Sequence, residues 1–336
     1  LTLLLNSQGG SAAKEEIERP SSLFLLNHEF DHGENLYIML DIVLRTHNLS
    51  NVHGEIPRYC GHDKTTLMLK CVTSLIHSMN ACLKPIRLTI LDDHSTDEFL
   101  EPLKKSILPR SRHPIELRHM KNGGQNATGL AQFQFMRDAQ GLVYSTEDDY
   151  LHEETAINDM LDAYSHFSAK CNPHGLDVAI YPFDMPDNYV PPWHSPCIVS
   201  HGPRQHWRTT TWSTYTMMVP SLVVRRHWAR FDLLARQYGT AWGRANNVHE
   251  GTTLTQIWSS DTRLFSPIRS IALHMQFEGQ RDPYIDWRER WNSIPDWTQE
   301  PLSPPVPTLT PDLLNGSSEL EKGGLVNELW VENEIP

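Results

Sequence analysis

Between residues 40 and 167 the apolar positions come in two alternating rhythms. Short runs such as LDIVLRT (40–46) and IRLTIL (86–91) are almost unbroken, the pattern of strands buried on both faces. Between them, KTTLMLKCVTSLIHSMNACL (64–83) sets Met68, Val72, Leu75, Ile76 and Met79 at helical spacing, which makes one buried face. The alternation continues with IELRHM (115–120) as a strand, NATGLAQFQFMRDA (126–139) as a helix and GLVYST (141–146) as a strand. EETAINDMLDAYSHF (153–167) follows as a helix with Ile157, Met160, Leu161 and Tyr164 on one side. Strand–helix alternation at this spacing predicts βαβ units, hence an α/β fold with a mainly parallel central sheet flanked by helices.

Past residue 170 the rhythm breaks. DVAIYPFDMPDNYVPPWHSP is rich in proline and aromatic residues, and the region reads as an irregular C-terminal half. Strands are expected near 177–181, 215–224 and 270–276, and helices near 226–238 and 250–259. From Pro295 the prolines, then LNGSSELEKGG, suggest a poorly ordered tail over 295–336. MLDIVLRTHN at Met39 reads like a natural start, so residues 1–38 are expected to be an N-terminal extension outside the fold. The remainder divides into a 39–170 half and a 171–294 half of the same domain.

Charge and cysteine content narrow the function classes. A net charge of −12 gives no basis for binding a nucleic-acid backbone, and basic residues run no longer than pairs such as Arg225–Arg226. The five cysteines are an odd number, widely spaced and without a CxxC pair, which argues against a disulfide framework and for a reducing compartment. No stretch approaches the roughly 18 apolar residues of a membrane-spanning helix, and the apolar run at the N-terminus is too short for a signal peptide. The expectation is a cytoplasmic protein with no transmembrane segment.

Two strands end in clustered acids. LTILDDHSTDEFLEPL (88–103) places Asp92 and Asp93 at the carboxyl end of one strand, with Ser95, Thr96 or Asp97 available to cap the next helix. Adjacent carboxylates repel and are unfavourable to desolvate, so the pair is either a ligand site or a solvated capping loop. LVYSTEDDY (142–150) delivers Glu147, Asp148 and Asp149 at the end of another strand. Either these acids complement the dipole of the following helix, or they serve a hard cation such as Mg²⁺ or Mn²⁺. In a parallel sheet both acidic ends lie on one edge, which favours the second reading.

The order IVLRTHN, LTILDDHSTD, NGG with a following helix, then LVYSTEDDY resembles a family 2-type glycosyltransferase of the Rossmann-like GT-A fold, over about residues 40–150. The resemblance implies that Arg45 and Thr46 line a nucleotide pocket, that Asp92 and Asp93 belong to it with Asp93 receiving the base's imide N–H, and that Asn122 and Gly124 border the pyrophosphate and sugar. Glu147 and Asp148 then stand in a DxD-type motif at the metal and donor, with Asp149 as the direct metal ligand and Glu147, replacing the usual first aspartate, also counted among the metal residues. His274 is either a late addition to the metal shell or a satisfied core imidazole. The implied cofactor is Mn²⁺ or Mg²⁺, the donor a nucleoside diphosphate sugar with UDP favoured, and the acceptor a hydroxyl, such as that of a glycan. Lys121 or Arg281 could add positive charge at the leaving group.

An inverting transferase also needs a general base. In NVHEGTTLTQIW (247–258), Glu250 stands where the resemblance puts the catalytic carboxylate, with His249 beside it; a helix-start glutamate can equally be only a dipole partner. Asp232 and Asp184 are further candidates. Trp207 and Trp212, in PRQHWRTTTWSTYTMM (203–218), either stack on acceptor sugars or belong to the core. Three other readings compete: a nucleotidyltransferase, which should show a G-x-G-T-R loop after the first strand; a metal-dependent hydrolase, which should show several histidine ligands; and a non-catalytic sugar- or nucleotide-binding module.

Overall fold

The computed structural model describes residues 39–49, 62–190, 196–276, 282, 284–301 and 330–335, all within one unit, Tyr37–Pro336. The expected extension at 1–38 lies outside the described residues, as does Arg281. The strands are β1 (Leu40–Thr46), β2 (Ile86–Asp92), β3 (Ile115–Met120), β4 (Leu142–Glu147), β5 (Tyr150–His152), β6 (Asp177–Ile180), β7 (Val199–His201), β8 (His206–Thr210), β9 (Met217–Pro220), β10 (Thr262–Pro267), β11 (Ala272–His274) and β12 (Trp330–Ile335). The helices are α1 (Lys64–Asn80), α2 (Asp97–Pro102), α3 (Gln125–Asp138), α4 (Ala156–Cys171), α5 (Ser221–Arg226), α6 (Trp228–Gln237), α7 (Ala241–Ala245), α8 (Glu250–Thr253), α9 (Thr255–Trp258) and α10 (Trp287–Ser293).

The α/β class follows from these elements. Ten strands form one sheet in the order β12-β3-β2-β1-β4-β9-β6-β10-β8-β7. The pairs from β12 through β4 are all parallel. The sheet then turns mixed, because β9 runs antiparallel to both β4 and β6, and β8 antiparallel to β10. One face is covered by a layer that includes Met68, Ile76, Phe99 and Met160. On the other, Phe133, Met136, Tyr215 and Phe231 form a second core. Burial on both faces explains why β1 and β2 read as nearly continuous apolar runs.

The chain steps outward from β1 to β2 and β3, then returns to lay β4 against the other side of β1. That reversal is a topological switch point, and open α/β sheets take ligands in the crevice outside the carboxyl ends of such strands. A second, two-stranded sheet pairs β5 with β11, just beyond the end of β4.

Two expected elements are divided. The strand foreseen over 215–224 ends at Pro220, which has no N–H to continue a ladder and whose φ of −60° suits the start of α5. The helix foreseen over 250–259 is two short helices joined at Leu254. At the far end, Trp297 is buried edge-on to His77, with ring centroids 6.2 Å apart. Residues 302–329 of the expected tail lie outside the described residues, and Trp330–Ile335 beyond them form β12 on the edge of β3. Among the described residues no helix is long and apolar enough to cross a membrane.

Candidate active site

Parallel pairing aligns Thr46 with Asp92 and Arg45 with Glu147, so the ends of β1, β2 and β4 meet at the switch point. Asp92 is fully buried. Its Oδ1 accepts from Thr46 Oγ1 at 3.1 Å, while its Oδ2 accepts the Ser95 N–H at 3.3 Å and lies 3.2 Å from His119 Nδ1. Its observed work is therefore to hold Thr46 and the loop after β2. Asp93 joins two loops: its Oδ2 accepts the Gly124 N–H at 2.8 Å, while His94 Nδ1 lies 2.9 Å from its Oδ1. The loops come so close that a Cβ on Gly123 would stand 2.5 Å from Asp93 Oδ1. Gly124 has φ of +102°, a conformation that favours glycine, and starts α3. Asn122 is exposed on the same loop. Thr96 is the N-cap of α2, and its hydroxyl accepts from Asn48 Nδ2 at 2.8 Å rather than from the helix.

The three acids at the end of β4 diverge toward three different cations. Glu147 Oε1 is 2.5 Å from Arg45 Nη2. Asp148 Oδ2 accepts the His47 N–H at 2.8 Å and stands 3.8 Å from Lys64 Nζ. Asp149 Oδ2 faces His274 Nε2 at 3.5 Å. That last meeting is built by the small sheet: His274 is in register with Tyr150, and the Met275 N–H donates to the Asp149 carbonyl at 2.7 Å. Tyr150 stacks on the His274 ring at 4.7 Å, and Phe183 meets it edge-on at 6.2 Å.

Electrostatics follow from crowding these groups away from water. Burial raises the Glu147 carboxyl, with Arg45 opposing and Asp149 adding to the shift. Burial likewise raises Asp148, with Lys64 opposing. For His274, burial alone would lower the imidazolium, but the charge and hydrogen bond of Asp149, with Glu147 and Glu250, outweigh it and the net shift is upward. His274 Nδ1 is buried and has no hydrogen-bond partner among the described residues.

Asp149 and His274 offer one carboxylate and one imidazole to a cation. Among the described residues no three His, Cys, Asp or Glu side chains converge as a metal-binding group, since Glu147 holds Arg45 and Asp148 holds the His47 N–H. Mg²⁺ and Mn²⁺ commonly take one or two protein ligands and complete their shell with substrate phosphates and water. The pair thus fits an ion arriving on a diphosphate and does not fit a closed protein cage.

Glu250 begins α8 directly after the N-cap His249, whose N–H donates to Thr252 Oγ1 at 3.4 Å. The Glu250 carboxyl is pushed up to about 7, chiefly by burial, with the charge of Glu147 adding and Arg45 and His274 opposing. His249 is lowered by burial. Trp212 lies against Gly251, where an added Cβ would come within 1.7 Å of the indole nitrogen. Tyr238 completes this side; its hydroxyl is raised to about 12, first by the charge of Glu250 and then by burial.

The remaining candidates lie elsewhere or play other parts. Trp207 is buried edge-on to Phe167 at 6.1 Å, a core position. Asp232 pairs with Arg236 on α6 at 2.8 Å. Asp184 accepts from the Tyr189 hydroxyl at 2.6 Å and is raised to about 6 by burial. Lys121 is exposed. Sequence reasoning missed Lys64, Tyr215 and Tyr238, which have no motif; only the fold brings them to the acids.

No family model and no curated protein matches this chain. Among solved structures it is similar to S. aureus TarS 1–349, at 11% identity over 70% of this chain and 60% of that one, with a TM-score of 0.40. The same TarS fragment in complex with UDP-GlcNAc matches at 11% identity over 71% and 60%, with a TM-score of 0.37. The 4-diphosphocytidyl-2C-methyl-D-erythritol synthase of Anaerococcus prevotii DSM 20548 matches at 10% identity over 73% of this chain and 95% of that one, with a TM-score of 0.34. This chain thus spans about 60% of the length of the TarS fragment it resembles.

Proposed function

We propose that the chain is a glycosyltransferase that moves a sugar from a nucleoside diphosphate sugar, UDP-sugar favoured, to a hydroxyl acceptor such as a glycan, with inversion at the anomeric carbon. The observation that carries this reading is the convergence at the switch-point edge of Asp149 with His274, of Arg45, and of Glu250 with a carboxyl at about 7.

A general base works best when its pKa lies near the operating pH, and burial brings Glu250 there. Glu250 would take the proton from the acceptor hydroxyl as that oxygen attacks the anomeric carbon, while the C–O bond to the diphosphate breaks on the opposite face. Trp212, against Gly251, and Tyr238, whose hydroxyl feels the Glu250 charge, would offer aromatic surface to a pyranose face. On the donor side, Asp93 and the Asn122–Gly124 loop border the nucleotide, with Asp92 fixing Thr46 from behind. A divalent ion held by Asp149, His274 and the donor's phosphates would supply Lewis-acid stabilisation to the departing diphosphate.

The test is a screen of nucleotide sugars for Mn²⁺-dependent hydrolysis, paired with calorimetric titration of UDP with and without Mn²⁺. Many transferases slowly hydrolyse their own donor, so one sugar nucleotide should be turned over without its acceptor. The anomer of the product then distinguishes inversion from retention. A chain that binds no nucleoside diphosphate under either condition would sink the proposal.

A further inference from the structure

We propose that Glu147 anchors Arg45 rather than a metal ion, and that the guanidinium held this way binds the donor's diphosphate even when no metal is present; this rests on the nucleotide-sugar reading above. Arg45 and Glu147 are in-register neighbours on paired strands, with Nη2 and Oε1 at 2.5 Å. The guanidinium carbon lies over the Tyr215 ring, 4.8 Å from its centroid. Tyr215 in turn stacks on Phe133 at 4.7 Å with the rings 6° apart. α3 closes the arrangement through Gly129, where an added Cβ would stand 3.0 Å from Tyr215 and 3.4 Å from Arg45 Nη1. One cation is thus fixed from three sides, by β1 and β4, by the Tyr215 ring and by α3.

Glu147 matches one side of this cation, and its other side meets a helix end. Arg45 Nη1 reaches the Gln125 carbonyl at 3.5 Å, which puts the guanidinium at the N-terminal end of the 14-residue helix α3. That end carries the positive pole of the helix dipole, where a cation is disfavoured and an anion favoured. Of the five N–H donors of a guanidinium, two are engaged among the described residues, by the Gln125 carbonyl and Glu147. The side chain is nevertheless only 13% exposed. A mostly desolvated arginine with donors to spare, beside a helix N-terminus, is suited to bidentate recognition of phosphate oxygens. Glu147, its near oxygen taken by Arg45, then leaves metal-supported binding to Asp149 and His274.

Calorimetry on the full chain separates these assignments, with UDP and uridine as probes, each in EDTA and in Mn²⁺. Wild type should bind UDP in EDTA. Arg45→Gln should weaken that binding tenfold or more while uridine affinity holds, and Arg45→Lys should recover part of it. Glu147→Gln should weaken UDP in EDTA by severalfold and leave the fold-gain from Mn²⁺ as in wild type. Asp149→Asn should do the reverse, abolishing the gain and sparing binding in EDTA. Glu147→Gln that removes the Mn²⁺ gain while keeping EDTA affinity would make Glu147 a metal ligand and overturn the proposal. So would Arg45→Gln, folded by near-UV circular dichroism, with unchanged UDP affinity in EDTA. Failure of wild type to bind UDP under both conditions is a different result and falls on the nucleotide-sugar reading itself.

Discussion

Glu250 shows how one side chain ties stability to chemistry. Its folded pKa of about 7 stands above the ordinary carboxyl value of 4.5, so between those two pH values the native state binds more protons than the unfolded chain. The sign follows: its contribution is fully present below about pH 4.5 and is lost as pH rises through 7. Glu250→Gln removes the charge that burial penalises. The variant should therefore be more stable than wild type at pH 8, by on the order of 1–2 kcal/mol once partial exposure is discounted, and no more stable at pH 4. Thermal melts at the two pH values check this, and equal melting differences at both would refute it. The same variant should keep donor and metal affinity but lose about 10² to 10⁴ in turnover, together with the acidic limb of the pH–rate profile. Undiminished sugar transfer would move the base elsewhere. Asp149→Asn should abolish nearly all transfer while leaving the melting temperature close to wild type; metal-dependent activity at the wild-type level would take Asp149 out of the site.

Short elements place these residues, and short elements are what the sequence announces least. β1 and β2 were readable because burial on both faces writes them as apolar runs. β5 and β11 are only three residues each, below the length at which periodicity is informative, yet their pairing brings His274 to Asp149. The acids and His274 were therefore visible as residue types in a motif order, whereas their division among Arg45, Lys64 and His274 was not. Local strand ends fix the carboxylates, but their cation partners come from elements far away in sequence, as the Asp148–Lys64 and Asp149–His274 pairs illustrate. The turn into α8 offers a test at this scale. Gly251 accommodates the Trp212 indole at a distance no Cβ could share. Gly251→Ala should force Trp212 aside, lower stability by about 1–3 kcal/mol as overpacking does, and change the tryptophan emission. Turnover should fall more than donor affinity, since the disturbed indole lies against the residue next to Glu250. Unchanged emission and stability would mean that Trp212 does not rest on this glycine.

Across the whole molecule, the parallel half of the sheet was legible from its strand–helix rhythm, and the mixed half was not. β8, β9 and β10 enter through partners far along the chain, and alternation carries no record of which strand will lie beside which. β12 is the extreme case: a charged segment after a proline-rich stretch, with weak strand propensity, pairs in parallel with β3 and becomes the edge of the sheet. Its Glu332 lies 2.6 Å from Lys104 Nζ and 2.5 Å from His119 Nε2, and His119 reaches back to the buried Asp92. The last strand is thus joined by one imidazole to the loop that borders the proposed nucleotide site. A chain ending at residue 329 would leave β3 as an uncovered edge and remove both ion pairs to Glu332. Exposed pairs contribute little each, so most of the loss should come from the missing ladder. The expected cost is about 1–2 kcal/mol, a fall in melting temperature of roughly 2–4 °C for a chain of this size. The bare edge should also promote association, read by light scattering at the same concentration. Glu332→Gln should keep the strand and the monodispersity while losing only the ion pairs. If the shortened chain melts at the wild-type temperature and scatters no more light, β12 contributes nothing to the sheet edge, and the contact through His119 has no hold on Asp92.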